Sequence, residues 1–319
     1  MTQPAAQADM TYSQLGRSGL TVSTVGLGCN NFGYRMPDED VPRVVSAALD
    51  AGITLFDTAD VYGRGASESL LGKALGSRRG EAIVATKFGM DMGGQNGPDW
   101  GVRGSRRYIR LAVEASLRRL GTDWIDLYQM HAPDPKTPVE ETLTALSELV
   151  TEGKVRYLGS SNFAGWQVID ADWIARSAGY EPFVSAQNEY SWLDRRIEAE
   201  LVPALDHTGQ SLLPFFPLAR GLLTGKYRRG QPAPEGSRLA GQPGPLESAN
   251  FDTVEAIESF AAERGVSLLQ VAIGGLAALP TVASVIAGAT RVEQIEQNVA
   301  AGLWIPSGSD LQALLEITG

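Results

Sequence analysis

Short apolar runs recur along this chain, each separated from the next by a stretch with helical periodicity. That alternation restricts the fold more than any other property of the sequence. The runs fall at 24–28, 53–56, 82–86, 125–130, 155–159, 184–187, 211–215 and 282–286. Continuous apolar runs suit strands buried on both faces, and strands joined through helices pair in parallel. Between the first two runs, Val41, Val44, Val45, Ala48 and Leu49 keep helical spacing behind Asp38, and Gly52 supplies the stop. Thr137-Pro138-Val139-Glu140 joins an N-cap, a first-turn proline and a capping-box glutamate, so a helix is predicted from Thr137 towards Gly153. Similar helices fit 67–75, 105–120 and 163–177.

No polar or charge-rich linker divides these units, so the pattern predicts a single (β/α)8 TIM barrel over residues 10–319. Residues 10–23 read as a β-hairpin turning at Arg17-Ser18-Gly19, residues 1–9 as a disordered tail, and the Pro- and Gly-rich stretch 228–248 as a long flexible loop. A doubly wound open sheet would want a GxGxxG after the first strand, and Gly26-Leu27-Gly28-Cys29-Asn30-Asn31 does not supply one.

Composition narrows the partners. A chain of 319 residues with 43% apolar content can bury a large core, and a net charge of -10 argues against nucleic acid or an anionic membrane surface. The one cysteine rules out an internal disulfide and fits a reducing compartment. The first ten residues lack a basic start and an apolar segment, so a cytoplasmic protein without a signal peptide is expected. Residues 271–289 carry no charge, but Gly274-Gly275 and Pro280 break them into a buried helix ending near Leu279 and a strand, not a membrane span. With two histidines, one thiol and no His-x-x-x-His spacing, no metal site is expected.

Four residue types stand at or just beyond the ends of consecutive strand runs: Asp57 and, in the loop after it, Tyr62; then Lys87; then His131. Reducing a carbonyl needs a hydride on carbon and a proton on oxygen, and a free phenol with a pKa of ~10 is a poor acid–base group at neutral pH. An ammonium at Lys87, held by Asp57, is expected to lower the Tyr62 pKa, while His131 orients the carbonyl oxygen. The plainer reading of Asp57 and Lys87 is a buried ion pair that only holds the barrel together.

In order and spacing these residues resemble the catalytic tetrad of the aldo-keto reductase family. The resemblance runs from GRSGLTVSTVGLG through DTADVYG, ATKFG, YQMHAPDP, GSSNF, QNEYS, PLARGLLTGKY and GATRVEQIEQNVAA. It implies that the hairpin plugs the barrel bottom and that Asp57, Tyr62, Lys87 and His131 are catalytic. It also implies NADP as cofactor, with Gly28, Cys29 and Asp57 among the residues that bind it and Ser161, Asn162 and Gln187 on the nicotinamide carboxamide. Phe215, beside Phe216, would stack on the ring. Pro217, Leu218, Ala219, Gly221, Leu222 and Lys226 would lie along the pyrophosphate, where Arg220 can also offset charge. Gly288, Thr290, Arg291, Gln294 and Asn298 would take the 2′-phosphoadenosine. Gly288-Ala289 departs from the family's Lys-Ser, and Gln294 stands where an arginine is expected, which leaves Arg291 as the cation for a 2′-phosphate.

Phe32, Met90 and Trp100 are expected to wall an apolar substrate pocket. The function implied is reversible reduction of a small aldehyde or ketone by NADPH in a monomeric enzyme. Two alternatives stay open: a Schiff-base lyase or aldolase using Lys87, and a nucleotide-binding regulatory subunit like those of potassium channels.

Overall fold

The computed structural model describes residues 10–240 and 243–319, so the expected tail at 1–9 and positions 241–242 of the expected 228–248 loop lie outside the described residues. Strands β1 (Tyr12–Gln14) and β2 (Thr21–Ser23) form the expected antiparallel hairpin, tied by the Leu15 N–H to Leu20 O at 2.8 Å. The eight strands that follow are β3 (Val25–Gly28), β4 (Leu55–Asp57), β5 (Ile83–Phe88), β6 (Ile125–Met130), β7 (Val155–Ser161), β8 (Phe183–Gln187), β9 (Ser211–Leu212) and β10 (Val285–Gly288).

They pair in parallel in the order β10-β3-β4-β5-β6-β7-β8-β9. The two ends of that row meet: the Leu212 N–H donates to Thr281 O at 2.7 Å, the Ala283 N–H to Leu212 O at 3.1 Å, and the Ile286 N–H to Pro214 O at 3.0 Å. The result is a closed (β/α)8 barrel.

Inside the barrel, Leu55, Ala85, Leu127, Leu213 and Ile286 pack with Leu15 and Val22 of the hairpin. The Gly16 N–H donates to the hydroxyl of Ser211, the first residue of β9, at 2.8 Å, so the hairpin closes the end where the strands begin. Outside, each helix lays its apolar stripe on the strands. Val41, Val44, Val45 and Ala48 of helix Val41–Asp50 are buried there, as are Leu143, Leu146 and Leu149 of helix Val139–Thr151. Since the hairpin covers the end where the strands begin, the open end is the C-terminal rim, where the polar side chains of the cleft collect.

Three local expectations change. Helix Val139–Thr151 has Pro138 at its cap position, and the Thr137 hydroxyl donates to Asp134 at 2.7 Å in place of capping the helix. The strand expected at 211–215 stops at Leu212, because Pro214 has no N–H to continue a ladder. The strand expected at 282–286 becomes regular only at Val285, with Val282 making an isolated bridge to Leu212.

The uncharged stretch 271–289 holds the end of helix Leu268–Ala277, which packs closely on helix Val292–Gly302. A Cβ at Gly274 would sit 2.6 Å from the Trp304 carbonyl oxygen. Among the described residues no helix is long and apolar enough to cross a membrane. The segment after Tyr227 is anchored to helix Phe251–Glu263: Arg228 pairs with Glu258 at 2.8 Å, and Tyr227, Leu239, Phe251 and Val254 share a small apolar cluster.

Candidate active site

Asp57 ends β4, and Lys87 lies in β5 beside it. The Lys87 ammonium donates to both carboxylate oxygens of Asp57, at 2.8 and 2.7 Å, to the Thr58 carbonyl at 2.9 Å and to the Tyr62 hydroxyl at 3.4 Å. Four acceptors surround a nitrogen that solvent does not reach, with side-chain exposures of 1% for Lys87 and 4% for Asp57. Tyr62 begins a single turn of 3₁₀ helix, Tyr62–Gly65, whose Gly63 and Gly65 adopt positive φ of 56° and 92°. The chain reverses there through these two glycines and Arg64, itself left-handed at φ 52°, and returns the phenol over Lys87, whose nitrogen is 5.0 Å from the ring centroid. His131 follows β6; its backbone N–H donates to Phe88 O at 2.8 Å, and its ring meets that of Tyr62 edge-on at 5.8 Å.

The structure therefore brings the four sequence-predicted residues together around one point. It also adds two that the sequence reading did not connect to them. Gln187 donates to Asp57 Oδ1 at 2.7 Å and Gln129 to the same oxygen at 3.2 Å. Asp57 is thereby held from three sides by an ammonium and two amides.

Burial and charge set the protonation states. Burial raises the Tyr62 pKa, and the opposing pull of Lys87 does not overcome it, so the phenol stays protonated through neutral pH. The expected net lowering is corrected here: Lys87 acts in that direction, but desolvation of the phenolate is larger. At Lys87 burial disfavours the charge, yet Asp57 and Tyr62 outweigh it and the pKa is raised, so this lysine is an ammonium. Burial, with Lys87 adding to it, pushes His131 down to about 3, which makes it a neutral imidazole. Its Nδ1 is buried without a partner.

Tyr62 and His131 open onto a cleft of about 580 Å³ at the C-terminal rim of the barrel. Ser161, Asn162 and Gln187 line one side. The Ser161 hydroxyl donates to Gln187 O at 2.8 Å, and the Asn162 amide donates to His131 O at 2.9 Å from a backbone with φ of 58°. Gly28 and Gly288, paired across β3 and β10, form part of the floor; a Cβ on Gly288 would come within 3.3 Å of the Asn31 amide nitrogen. Phe215, Phe216, Pro217, Leu218 and Gly221 form a wall, and Lys226, Arg291, Gln294 and Asn298 line the far reach. Arg291 is the N-cap of helix Val292–Gly302, so that helix start and its amide dipoles face the same region. Gln294 turns its side-chain oxygen onto the Thr290 N–H at 2.8 Å.

Some expected contacts are not at the cleft surface. Cys29 is fully buried, and its backbone N–H donates to Asp57 O at 2.8 Å, so it fixes the end of β4 instead. Ala219, Leu222 and Thr290 lie beside lining residues without lining the cleft. None of the three residues expected to wall a substrate pocket lines it. Phe32 is fully buried in the core, Met90 is 39% exposed, and Trp100 is 70% exposed under the Arg107 guanidinium, 4.6 Å from its ring centroid. Conversely, Asn30, Asn31, Gln297 and Arg238 line the cleft and escaped the sequence reading. Arg238 and Arg220 approach the Phe216 ring at 4.7 and 5.4 Å.

The model of the aldo/keto reductase family matches residues 24–311. An oxidoreductase of Bacillus subtilis is 37% identical over 92% of this chain and 91% of its own length. An L-glyceraldehyde 3-phosphate reductase of Escherichia coli is 35% identical over 94% and 90%. A probable voltage-gated potassium channel subunit beta of rice is 37% identical over 92% and 91%. The family match and the reductase-named relatives support an oxidoreductase on a (β/α)8 barrel. The chain belongs to the aldo/keto reductase family.

Proposed function

We propose that this protein reduces a small aldehyde or ketone with NADPH, with Tyr62 giving the proton. The observation that carries the reading is the Lys87 ammonium held between Asp57 and the hydroxyl of a phenol that opens onto the cleft.

The residues present suit a nicotinamide dinucleotide. Lys226, Arg220, Arg238 and Arg291 all line the cleft, and none has a carboxylate partner among the described residues, in a chain of net charge -10. Unpaired cations and a helix start lining one cleft fit phosphates, and the Ser161, Asn162 and Gln187 set fits a carboxamide. Bound there, the cofactor supplies the hydride. Tyr62 releases its proton to the oxygen as negative charge develops on it, and Lys87 stabilises the phenolate left behind. His131, neutral, donates an N–H to the carbonyl oxygen and orients it.

The geometry disfavours a Schiff-base mechanism, because Lys87 is an enclosed ammonium bonded to Asp57, Thr58 and Tyr62, not a free amine. The similarity to channel beta subunits favours a second reading, a nucleotide-binding subunit with little turnover. Assaying a panel of aldehydes and ketones with NADPH and with NADH separates the two. Tyr62-dependent oxidation of NADPH supports the reductase, and tight NADPH binding without turnover on any carbonyl supports the subunit.

A further inference from the structure

Asp60 lies between Asp57 and Tyr62 in the chain, and its side chain turns into the protein. It is fully buried; Oδ2 accepts from the Asn96 amide at 2.9 Å, and Oδ1 has no partner. Asn96 in turn accepts from Arg119 at 2.9 Å, and Arg119 donates through Nε to Glu68 at 2.6 Å. Glu68, also fully buried, takes the Thr86 hydroxyl at 2.6 Å, one residue before Lys87. One guanidinium thus serves two enclosed carboxylates. Its direct contact goes to Glu68, and Asp60 is left with neutral donors, the Asn96 amide and the Val61 backbone N–H.

One cation compensates only one of two buried carboxylate charges, so the second ionises at higher pH. The other titratable groups facing Asp60 are Tyr108 of helix Arg106–Leu120 and Tyr128 of β6. Burial, the largest cause, raises both phenols, so both stay neutral and neither adds a charge beside Asp60. Asp60 also ties the loop to the tetrad through its backbone, where its N–H donates to Lys87 O at 3.2 Å.

We propose that Asp60 is a positioning residue for Tyr62 that works in its protonated, uncharged form, because Glu68 has taken the guanidinium of the cluster. The proposal rests on the reading of Tyr62 as the proton donor. Burial first, and the Glu68 charge second, push the Asp60 carboxyl up to about 7. Above that pH a second uncompensated negative charge forms inside the loop that carries Tyr62. The loop must then shift or admit water, which loosens the contact between Tyr62 and Lys87. This loss comes at a lower pH than ionisation of Tyr62 itself, whose pKa burial raises.

The test is the kcat profile from pH 5.5 to 9.5, on a carbonyl that the native protein reduces, for native protein, Asp60→Asn, Asp60→Ala and Glu68→Gln. Native kcat should fall several-fold near neutral pH. Asp60→Asn keeps the shape without the ionisation, so it should lose that fall and stay within about twofold of native at pH 6. Asp60→Ala should be slower at every pH. Glu68→Gln removes the like charge and frees Arg119 to compensate Asp60, so the fall near neutral pH should shrink or vanish. An unchanged fall in Asp60→Asn, or an Asp60→Ala variant as active as native, overturns the proposal. If Asp60→Asn does not fold, a fall of native size and position in Glu68→Gln overturns it. Absence of turnover by the native protein on every carbonyl removes the reductase reading and this proposal with it, whereas turnover with unaltered profiles removes this proposal alone.

Discussion

Lys87 donates to the Tyr62 hydroxyl across 3.4 Å, a longer contact than the 2.7 Å that binds the same nitrogen to Asp57. The ammonium is anchored by the carboxylate and leans on the phenol. That inequality explains why Lys87 eases loss of the Tyr62 proton without outweighing burial.

Removing the ammonium separates the catalytic reading from the ion-pair reading. Lys87→Met leaves Asp57 buried with amide donors only, which should cost about 3–5 kcal/mol of stability. If Lys87 also supports Tyr62, kcat of the folded variant should drop by ~10²-fold or more. Its alkaline limb should move to higher pH, because the phenol then keeps its proton longer. Thermal melts and pH–rate profiles check both; a destabilised variant with native kcat would leave Lys87 a structural residue.

His131 should leave a trace in the pH dependence of stability. Its folded pKa is depressed from 6.5 to about 3, so its neutral form is favoured in the folded protein, and the associated stability is fully present above 6.5. As pH falls from 6.5 towards 3, the unfolded chain takes up a proton that the folded protein refuses, and stability declines by at most about 1.4 kcal/mol per pH unit. Denaturant titrations of native protein and His131→Asn at pH 5 and pH 7 should differ by this slope. Equal pH dependence in the two proteins would show that His131 titrates freely.

Arg291 should decide the choice between NADPH and NADH. A charge-assisted hydrogen bond to the 2′-phosphate is worth ~1.5–3 kcal/mol, which corresponds to about tenfold to a hundredfold or slightly more in affinity. Arg291→Ala should lose most of the preference for NADPH and leave NADH kinetics nearly unchanged. Steady-state kcat/KM with both cofactors measures it. A preference that survives the substitution would move the phosphate contact to another cleft cation, Arg238 foremost.

Gly72 tests the packing of the barrel's outer layer. An alanine in mid-helix ordinarily gains ~1 kcal/mol over glycine. Here its Cβ would fall 2.1 Å from the Leu120 carbonyl oxygen, where helix Ala66–Leu75 meets the end of helix Arg106–Leu120. Gly72→Ala should therefore destabilise by ~1–3 kcal/mol. A rise in melting temperature would show that the helices can separate at no cost.

Much of this arrangement was legible in the chain because it is local. The run Ile125–Met130 is buried at all six positions and matches β6 end to end. Asp57 and Lys87 stand where apolar runs finish, and strand ends in a barrel converge on one rim. What escaped depends on contacts between distant segments or on side-chain direction. Arg238 sits in a Pro- and Gly-rich stretch without periodicity, and only the folded segment carries it to the cleft. Phe32, in a loop whose neighbour Asn31 lines the cleft, turns inward to full burial, and no spacing rule gives that direction. The bonds from Gln187 to Asp57 and from Arg119 to Glu68 span 130 and 51 positions, beyond the reach of any local pattern.

The most direct test of the central claim is Tyr62→Phe. The substitution keeps the ring that Lys87 and His131 face and removes only the hydroxyl. With a carbonyl that the native protein reduces, kcat should fall by ~10²-fold or more while NADPH binding, measured by fluorescence titration, stays unchanged. A kcat close to native in the folded variant would contradict Tyr62 as the proton donor.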